Sequence, residues 1–97
     1  MDVEYQFGGI DFQWDANKAQ TNIQKHEIDF EEAAEVFSDP FHQIGDASTD
    51  YEQRDFILGY SLRQRILLVV YVERGEWTRI ISARRAMPDE RKSYEDS

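Results

Sequence analysis

Apolar and polar positions alternate along the first fourteen residues: Val3, Tyr5 and Phe7, an interruption at Gly8-Gly9, then Ile10, Phe12 and Trp14 at the same period of two. The pattern predicts a strand over 10–14, with residues 1–9 read as a loose N-terminal arm. Asp15 offers a side-chain oxygen to cap a helix over 16–26. The apolar face of that helix is thin (Ala16, Ala19, Ile23, His26), so packing on a sheet must stabilise it. Asp29, with Glu32 three residues on, reads as a capping box opening a second helix over 30–38. Phe30, Ala33, Ala34 and Phe37 form its apolar stripe, and Glu31, Glu32 and Glu35 face water. Asp39-Pro40 ends it, and a short strand is expected around Gln43-Ile44. Three further strands follow at 56–60, 66–72 and 77–83, separated by turns near Ser61–Gln64 and Glu73–Glu76, as an antiparallel meander. The run 66–72 is nearly unbroken in apolar residues, which makes it the central strand. Pro88 at a first helical position starts a terminal helix expected to fray at Ser97.

Composition bounds this picture. Ninety-seven residues, 40% apolar, suffice for one core, and 1–97 reads as a single domain. The absence of cysteine removes disulfides, zinc-thiolate sites and thiol catalysis, and two separate histidines give no metal-ligand motif. Neither a membrane-spanning run nor a signal-peptide pattern is present, so a soluble cytoplasmic protein without membrane partners is expected.

The formal charge of -9 argues against general attraction to phosphate backbones, yet the charge is uneven. Residues 1–55 hold three basic side chains against fourteen acidic ones, and residues 56–97 hold eight against six. Between 63 and 92 seven of the eight cations are arginine, whose planar fork grips phosphate or carboxylate through two parallel hydrogen bonds.

Arg84-Arg85 is the strongest candidate, at the end of the last strand, with Arg79 on the same strand and Arg91 in the first turn of the last helix. Strict alternation puts Arg79 and Arg85 on one face and Arg84 on the other, and a twist before Pro88 would be needed to bring the two adjacent guanidinium groups together. Such arginines could hold a phosphodiester and stabilise the charge of its transition state. Alternatively, Arg85 and Arg91 pair with Glu90, Glu95 or the acidic second helix. Lys25-His26 closes the first helix, where the helix dipole favours a cation and where an imidazole can exchange protons near neutrality, or where His26 is simply packed against Ile23. Glu90 and Tyr94 lie at i and i+4. They could flank a nucleotide, one exchanging a proton and the other stacking, unless Tyr94 docks its helix on the sheet. Trp77 and Tyr60 are further aromatics able to stack a base, although strand aromatics more often pack inside. His42 has no partner in a motif and reads as structural or exposed.

The order of segments FQWDANKAQTNIQKHEIDFEEAAEVFSDP and RDFILGYSLRQRILLVVYVERGEWTRIISARRAMPDERKSYED resembles the BrnT family, toxins of bacterial type II toxin–antitoxin pairs, over about residues 12–95. The resemblance implies an α+β, RelE-like fold: two N-terminal helices, a small antiparallel sheet of three to four strands and a C-terminal helix. It also implies a metal-independent endoribonuclease, without cofactor, that cuts RNA, including ribosome-associated mRNA, and arrests translation and growth. The partner implied is a BrnA-like antitoxin, through which alone the toxin would meet DNA. Carried over by motif, the catalytic positions are Lys25, His26, Arg84, Arg85 and Glu90, with Arg65, Arg79, Arg91 and Tyr94 binding RNA. His26 or Glu90 would move protons, and Arg84, Arg85 and Lys25 would hold phosphate. Glu27 stands where family members often place a glycine helix stop, so a different or a strained turn is expected there. The competing expectation is a catalytically weak RelE-like module whose main role is to bind the antitoxin and regulate the operon.

Overall fold

The alternation at the N-terminus folds back on itself. In a computed structural model, which describes residues 1–96, Gly8 and Gly9 adopt φ of +59° and +79° and join two strands, β1 (Asp2–Phe7) and β2 (Ile10–Asp15). Glycine takes this left-handed turn without the steric cost a side chain would bring. There follow α1 (Ala16–His26), α2 (Phe30–Glu35) continued by one 3₁₀ turn at Val36–Ser38, β3 (Gln43–Asp46), β4 (Asp55–Tyr60), β5 (Ile66–Arg74), β6 (Trp77–Arg85) and α3 (Pro88–Glu95). The sheet has six strands in the order β1-β2-β6-β5-β4-β3, with every neighbouring pair antiparallel except β2 and β6, which run parallel.

Two expectations are corrected. Residues 2–7 are an edge strand and not a loose arm: the register Val3↔Trp14 and Tyr5↔Phe12 sets Val3, Tyr5 and Phe7 against the core, with the Tyr5 and Trp14 rings 5.6 Å apart. The sheet therefore has six strands of mixed direction where three to four antiparallel ones were expected, and the two early helices follow a complete β1–β2 hairpin and not a lone strand. The α+β class and the meander β4–β5–β6 stand as expected, and the expected fraying at Ser97 lies outside the described residues.

One face of the sheet carries the main core. Phe12 and Trp14 of β2, Ile57 of β4, Leu67, Val69 and Tyr71 of β5, and Ile80 and Ala83 of β6 are buried against Ile28, Phe30, Ala33, Ala34 and Val36. Each large side chain removed from water here contributes about 1.5–3 kcal/mol. The opposite face is covered only at one end, where Tyr94 of α3 packs with Leu58 and Ile66, flanked by Phe56, Leu68 and Ala86.

Both helices bury a polar residue in the stripe that periodicity reserves for apolar ones. In α1 it is Asn22, 5% exposed, whereas Ile23 is 39% exposed and His26 lies in solvent. The Asn22 amide donates to the carbonyls of Ile28 (2.9 Å) and Ala83 (2.8 Å), and its oxygen accepts from the Ala83 N–H (3.0 Å). It thereby fixes the end of α1 to β6. In α2, Glu32 is 2% exposed and does not face water. Asp29 caps the Glu32 N–H at 2.7 Å, but the Glu32 carboxylate turns inward and does not complete the box.

Candidate active site

The strand alternation expected in β6 is broken. Val70 pairs with Ser82 and Tyr71 with Ile80, which leaves Ile81 as an extra bulged residue. An even spacing across a bulge joins opposite faces. Arg79, paired with Val72, therefore points away from the core helices, and Arg85, paired with Leu67, lies on their side. Arg84, paired with Leu68, shares Arg79's face.

The three β6 arginines have different partners. Arg79 donates to Gln13 at 2.8 Å and to Asp2 at 3.1 Å, far from the end of the strand. Arg84 forms a fork with Glu90, Nη1–Oε1 2.8 Å and Nη2–Oε2 2.9 Å, and Glu90 also accepts the Met87 N–H at 2.8 Å. The Arg84 guanidinium and the Met87 N–H hold the Glu90 carboxyl below the usual carboxylate range. Arg85 has no carboxylate partner among the described residues.

Arg85 instead opens on a concave cleft of about 210 Å³ at the end of the sheet, shared with Tyr60, Gln64, Arg65, Ile66, Ala86 and Arg91. Arg91, on α3, is likewise exposed and without an ion pair among the described residues. Arg65 enters from the turn between β4 and β5 and is held from behind. It donates through Nε (2.9 Å) and Nη2 to the buried Glu32 carboxylate, which also accepts from Ser61 Oγ at 2.7 Å. Burial pushes the Glu32 carboxyl up, but the bonds from Arg65 and Ser61 outweigh it and keep the group ionised below its usual range. Periodicity missed Glu32 because a buried, fully bonded carboxylate occupies the same helical slot as an apolar residue.

Lys25 and His26 end α1 on a second cleft of about 300 Å³, lined also by Asn17, Lys18, Thr21, Asn22, Ile81 and Ser82. Arg65 of the first cleft reaches toward the end of α1, where its Nη2 donates to the carbonyl of Glu27, the residue after His26, at 3.5 Å. Glu27 closes α1 in the left-handed conformation at φ 58° and donates its N–H to the Ile23 carbonyl at 2.8 Å. Of the two outcomes expected there, a different turn or a strained one, the strained turn is found: a residue with a Cβ takes the left-handed stop that favours glycine. His26 is exposed, which sets aside its reading as a packed core residue.

Tyr94 is 9% exposed, packed edge-on against Tyr60 with ring centroids 5.4 Å apart, and its hydroxyl donates to Asp39. Burial and the adjacent Asp39 push that hydroxyl's pKa up. Tyr94 therefore docks α3, and Tyr60 is the aromatic at the cleft. Asp39 also accepts the N–H of Tyr60 at 2.8 Å, and a Cβ on Gly59 would stand 2.9 Å from its Oδ2, so this close approach requires glycine. His42 is exposed, with Nδ1 2.8 Å from the Asp39 carbonyl oxygen.

Residues 14–90 match the family model for the ribonuclease toxin BrnT of type II toxin–antitoxin systems. The chain belongs to the BrnT toxin family. The crystal structure of the Brucella abortus ribonuclease toxin BrnT superposes with a TM-score of 0.62 at 28% identity, covering 76% of this chain and 92% of that one. No curated protein matches. As a BrnT member the chain is a ribonuclease toxin acting within a toxin–antitoxin system, on an α+β fold of the BrnT and RelE type. Its first strand lies outside the matched BrnT segment. Among the described residues no helix is long and apolar enough to cross a membrane.

Proposed function

We propose that this chain cleaves RNA at the strand-end cleft, with no metal ion, by attack of a ribose 2′-hydroxyl on the adjacent phosphorus. One observation carries the reading: Arg85 and Arg91, neither with a carboxylate partner among the described residues, converge with Arg65 on a single concave surface in a chain of charge -9. In the reaction the O2′–P bond forms and the P–O5′ bond breaks. The 2′-hydroxyl proton passes to a base, and an acid protonates the leaving O5′. Arg85 and Arg91 hold the non-bridging oxygens, whose charge grows in the transition state. Tyr60 supports the base beside the scissile bond, and Lys25 adds positive charge from the end of α1.

His26 is the proton-transfer group: it is exposed in the α1–β6 cleft, one residue before the Glu27 carbonyl that Arg65 reaches. Glu90 serves differently. Both its oxygens are engaged by Arg84 and its carboxyl is held below the ordinary range, which makes it a poor base near neutrality but a firm anchor for the start of the helix that carries Arg91. Arg79 and Tyr94 support the sheet and α3, and Arg84 acts through Glu90. A BrnA-like antitoxin neutralises the enzyme and connects it to DNA. The acidic remainder of the surface repels free RNA, so capture rests on the two clefts and on mRNA presented by the ribosome.

The test is inducible expression in a bacterial host of the wild type beside Arg85→Ala/Arg91→Ala, following growth and total RNA together, with purified protein assayed in excess EDTA. Arrest and RNA loss in the wild type only, with cleavage persisting in EDTA, is the expected result. Normal growth and intact RNA with soluble, folded wild type would overturn the reading in favour of an antitoxin-binding module, and loss of cleavage in EDTA would overturn metal independence.

A further inference from the structure

Among the described residues five cations have no carboxylate partner: Lys18, Lys25, Arg85, Arg91 and Lys92. Four of the five line these two clefts, Arg85 and Arg91 the first and Lys18 and Lys25 the second. Neither cleft has an acidic residue in its lining, although twenty of the 97 residues are acidic. Three other clefts in the same molecule each include acids: Asp89 and Glu90, Glu4 and Asp11, and Asp55 and Glu73. The second cleft adds neutral polar groups, the Thr21 and Ser82 hydroxyls and the Asn17 amide, to Lys18, Lys25 and His26.

Lys18 is the residue no motif singled out. It sits in the first turn of α1, where the positive end of the helix dipole favours an acid, and that turn contains none. Its position is thus unfavourable for the helix by itself. Asp15, three residues before it, accepts the Lys18 backbone N–H that it caps (2.9 Å) and pairs with the terminal ammonium (3.8 Å), not with the Lys18 side chain. Lys18 and Lys25 are seven residues apart, about two turns, so they share a side of α1 at a separation of about 10 Å, a length spanned by a few nucleotides.

We infer that the α1–β6 cleft is a second phosphate subsite, in which Lys18, with Thr21 and Ser82, seats the backbone of single-stranded RNA a few nucleotides from the bond that is cut. This rests on the reading of the strand-end cleft as the place of cleavage. RNA then runs along α1 from Lys18 past Lys25 and His26 to Arg65, Arg85 and Arg91, a lane of positive charge through an acidic surface. The bulged Ile81 forms part of its floor.

The experiment measures the affinity of a short, mixed-sequence, fully 2′-O-methylated oligonucleotide, which lacks the attacking hydroxyl, between about 50 and 200 mM salt. The variants are Lys18→Ala, Arg85→Ala/Arg91→Ala and Lys92→Ala, each checked for an unchanged melting midpoint. Removing one cation from a phosphate lowers the slope of log affinity against log salt by about 0.7, equivalent to about 2.5-fold across that range. The expected result is a reduction of about 0.7 for Lys18→Ala, about twice that for the double variant, and none for Lys92→Ala. An unchanged slope for Lys18→Ala beside a reduced one for the double variant overturns the subsite alone. Unchanged slopes for both overturn the cleavage-site reading as well. Equal reductions for Lys18→Ala and Lys92→Ala reduce the effect to overall charge and overturn the subsite.

Discussion

Arg84 and Arg85 are neighbours in sequence and differ in almost everything else. Arg84 lies on the sheet face that α3 partly covers and has both ends of its fork taken by Glu90. Arg85 lies on the helix side, open to a cleft with two other guanidinium groups. Pairing does not simply follow the face: Arg79 and Arg84 have carboxylate partners, as does Arg65 on the helix side, while Arg85, Lys18 and Lys25, together with Arg91 and Lys92 of α3, have none among the described residues. Among the described residues six of the eleven lysine and arginine side chains have a carboxylate within ion-pair distance. A missing carboxylate partner marks out the proposed phosphate-holding pair, Arg85 and Arg91, only together with their place in one cleft.

The sharpest way to break this contrast is to exchange the fates of the two neighbours. Arg85→Ala should lower RNA cleavage by about 100-fold or more while leaving the melting midpoint unchanged. Arg84→Ala should cost only about 1 kcal/mol of stability, since its pair with Glu90 is partly solvated. Single-turnover rates beside thermal melts distinguish the two, and a stable, inactive Arg84→Ala would erase the distinction. Next in size, Glu32→Ala leaves Arg65 without its buried partner and should cost about 2–3 kcal/mol, read from urea titrations.

The pH dependence of stability extends this comparison. The carboxyls of Glu32 and Glu90 are depressed from 4.5 and that of Asp39 from 3.8, so their contribution is complete above those unfolded-state values and fades as pH falls through the lower folded ones. The urea midpoint should be flat above about pH 5 and fall below about pH 4, and Glu32→Gln should flatten that fall. Asn22→Ala removes three buried hydrogen bonds between α1 and its neighbours and should cost about 2 kcal/mol, with Lys25 and His26 losing their alignment to the cleft. The smallest effect is a gain: Glu27→Gly relieves the left-handed strain and should raise stability by about 0.5–1 kcal/mol.

Much of this fold is legible in residue spacing alone. Asp15 and Asp29 cap their helices, Pro88 starts α3, and the apolar run 66–72 lies between the two strands expected beside it. Three things are hidden, each for a physical reason. The edge strand β1 escapes because a glycine pair reads equally as the end of an arm or the turn of a hairpin. The inward placement of Asn22 and Glu32 escapes because only tertiary partners make a buried polar group tolerable. The side taken by Arg85 escapes because one bulged residue inverts every parity argument that crosses it. Arg65, Arg85 and Arg91 come together at one cleft, whereas Arg79 bonds Gln13 and Asp2 and Tyr94 bonds Asp39, contacts that no linear motif shows.

The strand order also fixes when, during synthesis, the enzyme becomes dangerous. β6 lies in the interior of the sheet, parallel to β2 and antiparallel to β5, yet it follows the other five described strands in the chain. Until it emerges, the N-terminal hairpin has no neighbour on its inner side, and the Asn22 clamp has no Ala83 to hold. Such long-range pairing closes slowly and late. The residues of the two clefts are thus separated in the order of synthesis, with α1 made well before Arg85 of β6 and Arg91 of α3.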